Sequence, residues 1–331
     1  MSIPLRELFG NRPPPEWEPE GTISFSVIVR TQGRRPNSLR AAVESLAAQS
    51  HQNLEILVMV HDDDPQKAHE VAQQLDGASA PSPLTVTAVT GPGRSAPLNA
   101  GLALASKDYI CFLDDDDLAN PEWLSSFDSA IRQHPETIIR ARVASQAWTT
   151  DGGDEPVRPT GAVEEPFAPT FDLLAHVSQN QTPICGIAVP RHLIEWAGAT
   201  FNPNLSVLED WDFLMQMAPI CGVTSIDACT SIYRRLDDAN ADTAESVSEW
   251  ERAHAMVIDA MSKRPLLLPP GDARRVAGAH FVAGLGSRHE QDLQAASTEI
   301  DQITRSPLTW LRRFVARLAG AVGHRIEERR Q

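Results

Sequence analysis

One stretch limits what this chain can become more than any other. Tyr109-Ile110-Cys111-Phe112-Leu113, an unbroken apolar run, leads directly into Asp114-Asp115-Asp116-Asp117. A short run of aromatic, β-branched and aliphatic residues suits a strand covered on both faces of a sheet. Asn120-Pro121-Glu122 then reads as a helix start, an N-cap followed by proline at N1, which confines the carboxylates to a short turn at the strand's carboxyl end. Like charges that close repel one another. Either water solvates the turn, or a divalent cation and its ligand neutralise it, and hard oxygen donors suit Mg²⁺ or Mn²⁺ better than Zn²⁺.

Acid recurs at a second strand end. Residues 23–29 read as a first strand running into Arg30-Thr31-Gln32-Gly33-Arg34-Arg35-Pro36, and Leu39, Ala42, Val43, Leu46 and Ala47 repeat at helical spacing behind Asn37 as cap. Residues 55–60 form a second strand that ends in His61-Asp62-Asp63-Asp64-Pro65, followed by a helix over 67–75. Alternation predicts a third strand at 84–89, and Gly91-Pro92-Gly93-Arg94 leads into a helix opened by Ser95-Ala96-Pro97-Leu98-Asn99-Ala100-Gly101. Strands separated by helices predict an α/β chain with a parallel, doubly wound sheet that binds ligands beyond its strand carboxyl ends.

Beyond a helix over 122–133 the pattern changes. Strands are predicted at 143–148, 183–189, 224–228 and 231–235, a long functional loop at 151–169 and a short helix at 192–198. Leu208-Glu209-Asp210-Trp211-Asp212 opens an amphipathic helix with acids in its first turn, and helices follow residue 242. The expected organisation is an extended, proline-rich arm over 1–22, an α/β domain over 23–240 and a helical region over 241–331 with a basic amphipathic end.

With 331 residues and 42% hydrophobic content, the chain has material for a real core. A formal charge of −15 argues against nucleic acid as the main partner. Cys111, Cys185, Cys221 and Cys229 lie far apart with no CxxC pair, which favours free thiols in a reducing compartment. The first residues lack the apolar run of a signal peptide and no stretch approaches the roughly 20 apolar residues of a membrane span. The expected location is the cytoplasm.

Four separated pieces occur in an order and at spacings that resemble the family-2 inverting glycosyltransferases of the GT-A (nucleotide-diphospho-sugar transferase) fold. They are the first strand with Thr31, the Ser95–Gly101 helix opening, Phe112-Leu113-Asp114-Asp115-Asp116-Asp117 and Glu209-Asp210-Trp211-Asp212. The resemblance covers roughly residues 23–236. It implies a mainly parallel central sheet flanked by helices, with a C-terminal helical extension. It also implies metal-dependent, inverting transfer of a sugar from a nucleoside-diphosphate donor, a UDP-sugar foremost, to a glycan or lipid-linked acceptor in bacterial surface polysaccharide or glycoconjugate synthesis.

The resemblance implies residue roles as well. Asp116 is a Mn²⁺ or Mg²⁺ ligand and Asp114 a metal or ribose contact, with Asp115 beside them against the donor. Thr31, Arg34 or Arg35, and Asp62 or Asp63 frame the base. Asn99 and Gly101 match the family, while Leu98 replaces a common arginine whose charge Arg94 can supply. Asp210 is the catalytic base, and Glu209 either binds the acceptor or raises its neighbour's pKa. Two departures stand out: Val60-His61-Asp62-Asp63-Asp64 replaces the usual Asp-Asp-Gly-Ser run, and Leu236 stands where many relatives carry histidine.

Other readings stay open at this level. Glu209 and Asp210 also suit a helix first turn, Trp211 a core as much as a sugar platform, and Arg234 and Arg235 a solvated face as much as a phosphate site. A haloacid-dehalogenase-like phosphatase with Asp114 as nucleophile and Asp116 as acid is one alternative, and a non-catalytic sugar-nucleotide-binding protein another. In residues 305–331, Trp310, Leu311, Phe314, Val315, Leu318, Ala319 and Val322 share one helical stripe flanked by Arg312, Arg313 and Arg317. That pattern suits peripheral contact with the inner face of a membrane, a homodimer seam, or packing on the core.

Overall fold

The computed structural model describes Trp17 and residues 21–77, 83–150, 155–236, 244–264, 266, 268 and 272–278. The expected α/β class is observed. Strand β1 (Phe25–Thr31) pairs in parallel with β2 (Leu54–His61), which pairs in parallel with β3 (Leu84–Val89). On its other side β1 pairs in parallel with β4 (Tyr109–Asp114). The unbroken apolar runs follow from burial on both faces: Val27 and Val29 enter one core with Val58 and Leu113, while Ile28 enters a second with Met59 and Phe112. Helices α1 (Pro36–Ala47) and α2 (Gln66–Leu75) cover the first face with Leu39, Val43, Leu46 and Val71, and α3 (Ser95–Leu104) covers the second through Leu98. A Cβ at Gly101 would meet Ile28 Cγ2 at 2.6 Å, so glycine there sets how closely α3 approaches β1.

The second half of the sheet, where the sequence pattern changes, is mixed. The two-residue strand β5 (Leu118–Ala119) and helix α4 (Trp123–Gln133) follow β4. Strands β6 (Ile138–Thr150), β7 (Pro156–Pro159), β8 (Ile187–Pro190) and β9 (Val223–Leu236) complete the order β3-β2-β1-β4-β8-β6-β9-β5, with β7 on β6. β8 is antiparallel to both β4 and β6, and β6 runs parallel to β9. Several expected bounds move because strand pairing overrides local pattern. The two strands expected within 224–235 are one continuous β9, and part of the loop expected over 151–169 is β7. Residues Ile184–Gly186 form a 3-10 turn ahead of β8. Asn120 caps no helix: its amide donates to the Cys229 carbonyl (3.0 Å), and α4 starts after Glu122. Asn37 likewise lies inside α1, whose first residue is Pro36.

Helices α5 (Leu173–Ser178), α6 (Arg191–Ala197), α7 (Glu209–Cys221) and α8 (Ala244–Ser262) complete the named elements. Ala253, Val257 and Met261 of α8 pack with Leu173, Leu205, Trp211 and Met215 in a third core. One compact unit runs to Leu267; of a second, from Leu268, only that residue and helical residues 272–278 are described. Trp17 stacks on His192 and meets Tyr109 edge-on. The rest of the expected arm and the amphipathic stripe over 305–331 lie outside the described residues. All four cysteines are free. No helix among the described residues is long and apolar enough to cross a membrane.

Candidate active site

The strand order reverses at β1, so the crevice at the carboxyl ends of β1 and β4 is the topological switch point where doubly wound sheets place ligands. Arg30 and Asp114 are cross-strand partners at that edge, and Arg30 is the one residue of β1 not fully buried. Arg30 Nε and Nη2 donate to Asp114 Oδ1 and Oδ2 at 2.9 and 2.6 Å, and Nη1 donates to Glu209 Oε1 at 2.5 Å. Arg94 adds longer contacts, 3.4 Å to Glu209 and 3.8 Å to Asp114. Burial opposes the charge of Arg30, yet Asp114 and Glu209 hold its pKa above the usual value. Burial would raise Asp114 too, but Arg30 and Arg94 outweigh it and leave the carboxylate below its normal range.

The rest of the acidic turn is divided between cleft and scaffold. Asp115 accepts a 2.5 Å hydrogen bond from Thr31 Oγ1 and faces Arg35 at 3.3 Å; burial pushes its pKa up to about 6 despite the Thr31 bond. Asp116 pairs with Arg35, and burial followed by the charge of Asp114 raises its pKa. Asp117 is buried and accepts the Arg234 backbone N–H at 3.0 Å, while the Asp116 carbonyl accepts from Arg234 Nε. These bonds clip the turn to β9. The Arg234 guanidinium lies 5.2 Å over the Trp148 ring, and its buried Nη2 has no hydrogen-bond partner among the described residues.

Two cavities open here. The larger, about 560 Å³, is rich in cations, with Arg34, Arg35, Arg94, Arg234 and Arg235 in its lining, and Thr31, Asp115 and Asp116 among them. The smaller, about 290 Å³, holds Glu209, Asp210, Asn180 and Thr182 with Phe167 and Trp250. Arg30, Arg94, Asp114 and Tyr233 line both. Leu208, immediately before α7, has φ +63°, a left-handed conformation rare for a branched side chain, and it sets the direction in which Glu209 and Asp210 leave the loop. Asp210 Oδ1 accepts from the Trp211 N–H at 2.7 Å, and Oδ2 from Asn180 Nδ2 at 3.2 Å. Burial and then the charge of Glu209 push the Asp210 pKa up to about 7. At the amino end of α1, Glu155 accepts the backbone N–H groups of Asn37 (2.8 Å) and Ser38 (3.3 Å) and the Ser38 hydroxyl (2.8 Å).

Of the residues expected from sequence, Thr31, Arg35, Arg94, Asp114, Asp115 and Asp116 line the larger cavity, and Glu209 and Asp210 line the smaller. Asp62, Asp63 and Asn99 line neither. Asp62 accepts from the Asp64 N–H in a local turn, Asp63 is exposed, and His61 takes the cavity position. Asn99 exchanges two 2.8 Å hydrogen bonds with the Phe201 backbone, a tie between α3 and that segment. Trp211 is fully buried, its indole N–H on the His176 carbonyl, and is core. Sequence reasoning passed over Arg30, whose signal was a lone cation at the end of an apolar strand. It also passed over Asn180 and Trp250, which no local pattern marks.

Residues 26–185 match the family model described as glycosyl transferase family 2. An uncharacterized glycosyltransferase of Haemophilus influenzae is 28% identical over 194 residues, covering 58% of this chain and 61% of that protein. The amylovoran biosynthesis glycosyltransferase AmsB of Erwinia amylovora is 34% identical over 106 residues, covering 30% and 32%. The chain thus spans about three fifths and one third of these relatives' lengths. A crystal structure of S. aureus TarS 1-349 in complex with UDP-GlcNAc superposes with a TM-score of 0.51 at 20% identity, over 71% of this chain and 66% of that one. Residues 26–185 are thus similar to the family-2 glycosyltransferases, and the chain shares the α/β architecture of the GT-A fold.

Proposed function

We propose that this protein moves a sugar from a nucleoside-diphosphate donor, a UDP-sugar foremost, to an acceptor hydroxyl with inversion, in bacterial surface polysaccharide or glycoconjugate synthesis. One observation carries the reading. The cationic cleft and the smaller cavity meet at Arg30, Arg94, Asp114 and Tyr233, and Asp210 lies in the wall of the smaller cavity beside that seam. A donor in the cleft and an acceptor in the cavity bring both reacting centres to one carboxylate.

Asp210 takes the proton of the attacking hydroxyl. A pKa of about 7 makes it a stronger base than an ordinary carboxylate while leaving much of it ionised at neutral pH. Asn180 and the Trp211 N–H fix its orientation. Glu209, engaged by Arg30 and Arg94, acts through its charge, which raises the Asp210 pKa. Arg34, Arg35, Arg94 and the unpartnered Nη2 of Arg234 supply positive charge for the diphosphate.

A divalent cation, Mn²⁺ or Mg²⁺, fits this cleft through Asp116, a hard oxygen donor in the cavity lining whose raised pKa reflects burial and a neighbouring anion. Asp114 fits less well, because Arg30 holds both of its oxygens. We assign the ion to Asp116 and give Asp114 the role of holding Arg30. Among the described residues, no three His, Cys, Asp or Glu side chains group so as to hold an ion by themselves. An ion that draws most of its ligands from diphosphate and water needs only one or two carboxylates. When bound, it offsets the charge on the departing nucleoside diphosphate. The free thiols support a reducing, cytoplasmic setting.

Calorimetry of the full chain with UDP and Mn²⁺, followed by UDP release from UDP-sugars, tests the reading. Metal-dependent UDP binding and release are expected. A chain that binds no nucleoside diphosphate, or that liberates phosphate from a monoester, overturns it.

A further inference from the structure

The smaller cavity has two kinds of wall. Asp210, Asn180 and Thr182 are polar; Phe167, Tyr233 and Trp250 are aromatic, and the rings of Phe167 and Tyr233 meet edge-on at 6.5 Å. At about 290 Å³ it sits just below the roughly 300–1,000 Å³ of small-molecule sites, a fit for one terminal unit of an acceptor rather than a length of polymer. Trp250 belongs to α8, beyond residues 26–185, and is 47% exposed.

That exposed ring is held in place relative to the base. Trp250 stacks on His254 at 5.0 Å and 24°, and His254 packs on Trp211 at 5.2 Å. Trp211 is the buried residue next to Asp210, so a ladder of three rings links the outer aromatic wall to the carboxylate. His254 Nε2 also hydrogen-bonds the Ser178 carbonyl at 3.0 Å. The loops beneath are pinned by the fully buried Arg140. It donates to the carbonyls of Ala168 (2.6 Å), Pro169 (3.2 Å) and Gln181 (2.8 Å) and to Thr182 Oγ1 (2.7 Å), fixing the chain beside Phe167 and Asn180.

We propose that this cavity binds the acceptor as a carbohydrate ring laid against Trp250, with one hydroxyl directed at Asp210; the proposal rests on the transferase reading above. A sugar presents C–H groups on a face and hydroxyls along its edge, which matches aromatic walls beside Asn180 and Asp210. An acceptor of methylene groups alone would desolvate Asn180 and Asp210 without offering them partners. Trp250 is thus a specificity-determining residue contributed by α8 to a site otherwise built by the sheet, its loops and the start of α7.

The test is saturation-transfer NMR of the full chain, with UDP and Mn²⁺ present, against methyl glycosides of hexoses and N-acetylhexosamines. Calorimetry with UDP runs in parallel on each variant. Transfer to sugar C–H protons is expected in the wild type and its loss in Trp250→Ala, with UDP affinity unchanged. With a transferred glycoside, Trp250→Ala should raise acceptor KM up to about tenfold at nearly constant kcat, the scale of one aromatic contact, and Trp250→Phe should restore most of it. A wild type that binds UDP but contacts no glycoside, or that prefers a prenyl phosphate, overturns the proposal and leaves the donor reading intact. So does a Trp250→Ala variant with unchanged acceptor KM. A wild type that binds no UDP removes the transferase reading, and this proposal with it.

Discussion

The two halves of the sheet meet at one edge but solve different problems. The parallel half, β3-β2-β1-β4, ends in a cleft where single arginines each hold two carboxylates: Arg30 with Asp114 and Glu209, Arg35 with Asp115 and Asp116. The mixed half, β8-β6-β9-β5, borders a smaller cavity whose aromatic walls leave Asp210 desolvated beside a like charge. Asp114, gripped by Arg30 through both oxygens, is held ionised and serves as fixed electrostatics. The unpaired Asp210 is held near neutrality, where it can exchange a proton. On the proposed reading the same residue type is thus an anchor on one side of the seam and a base on the other, by environment alone.

The largest expected effect separates these roles. Asp210→Asn keeps the shape and the Oδ1 acceptor but removes the base, so turnover should fall about 10²- to 10⁴-fold with UDP affinity unchanged. Loss of UDP binding instead would move Asp210 to the donor side. Next, Arg30→Ala strips the partner from the buried Glu209 and the partly buried Asp114 and should cost about 3 kcal/mol in urea unfolding; an unchanged midpoint would show that Asp114 and Glu209 are not held by it. Asp116→Ala should remove the Mn²⁺-dependent part of UDP affinity, roughly 10- to 100-fold, with little effect on stability because one of several repelling acids is gone. Metal-independent affinity in both proteins would return the ligand role to another residue.

The smallest effect is a pH dependence. Asp210 is protonated below about 7, so turnover should climb about tenfold per pH unit below that value and level off above it. The same shift has an opposite sign for stability. Between the normal 3.8 and about 7 the folded state holds a proton that the unfolded chain releases, so this group's contribution is present at low pH and is lost as pH rises through 7. Asp210→Asn should flatten the rate profile and lessen the slope of the stability profile, to which Asp115 still contributes; a wild-type rate profile flat across that window would break the contrast between the halves.

The parallel half was legible because burial on both faces writes itself as continuous apolar runs: β3 is found at its predicted residues and β1, β2 and β4 within a few of theirs. The mixed half was less so. β6 and β9 pair over ten registered positions with shifts around Arg142, and their half-exposed residues carry no clean alternation. Within the site, the acids of residues 114–117 and 209–210 were legible as clusters. What they bond to was not, since Arg30 reaches Glu209 across 179 residues and Trp250 reaches the cavity from a helix that no motif marks. Asp62 and Asp63 show the reverse case, a conspicuous acidic run that serves a local turn.

Glu155 has a consequence for how a nucleotide is held. The amino end of a helix near a strand edge is a ready-made seat for phosphate, through free N–H groups and the helix dipole. Here the N–H groups of Asn37 and Ser38 already bond the Glu155 carboxylate, which occupies that seat from within the protein. On the proposed reading the donor's negative charge therefore falls to guanidinium groups on side chains, some of them open to solvent, instead of to fixed backbone dipoles. Contacts of that kind weaken as the Debye length shrinks from about 10 Å at 0.1 M salt to about 3 Å at 1 M, so the grip on the donor is tuned by ionic strength.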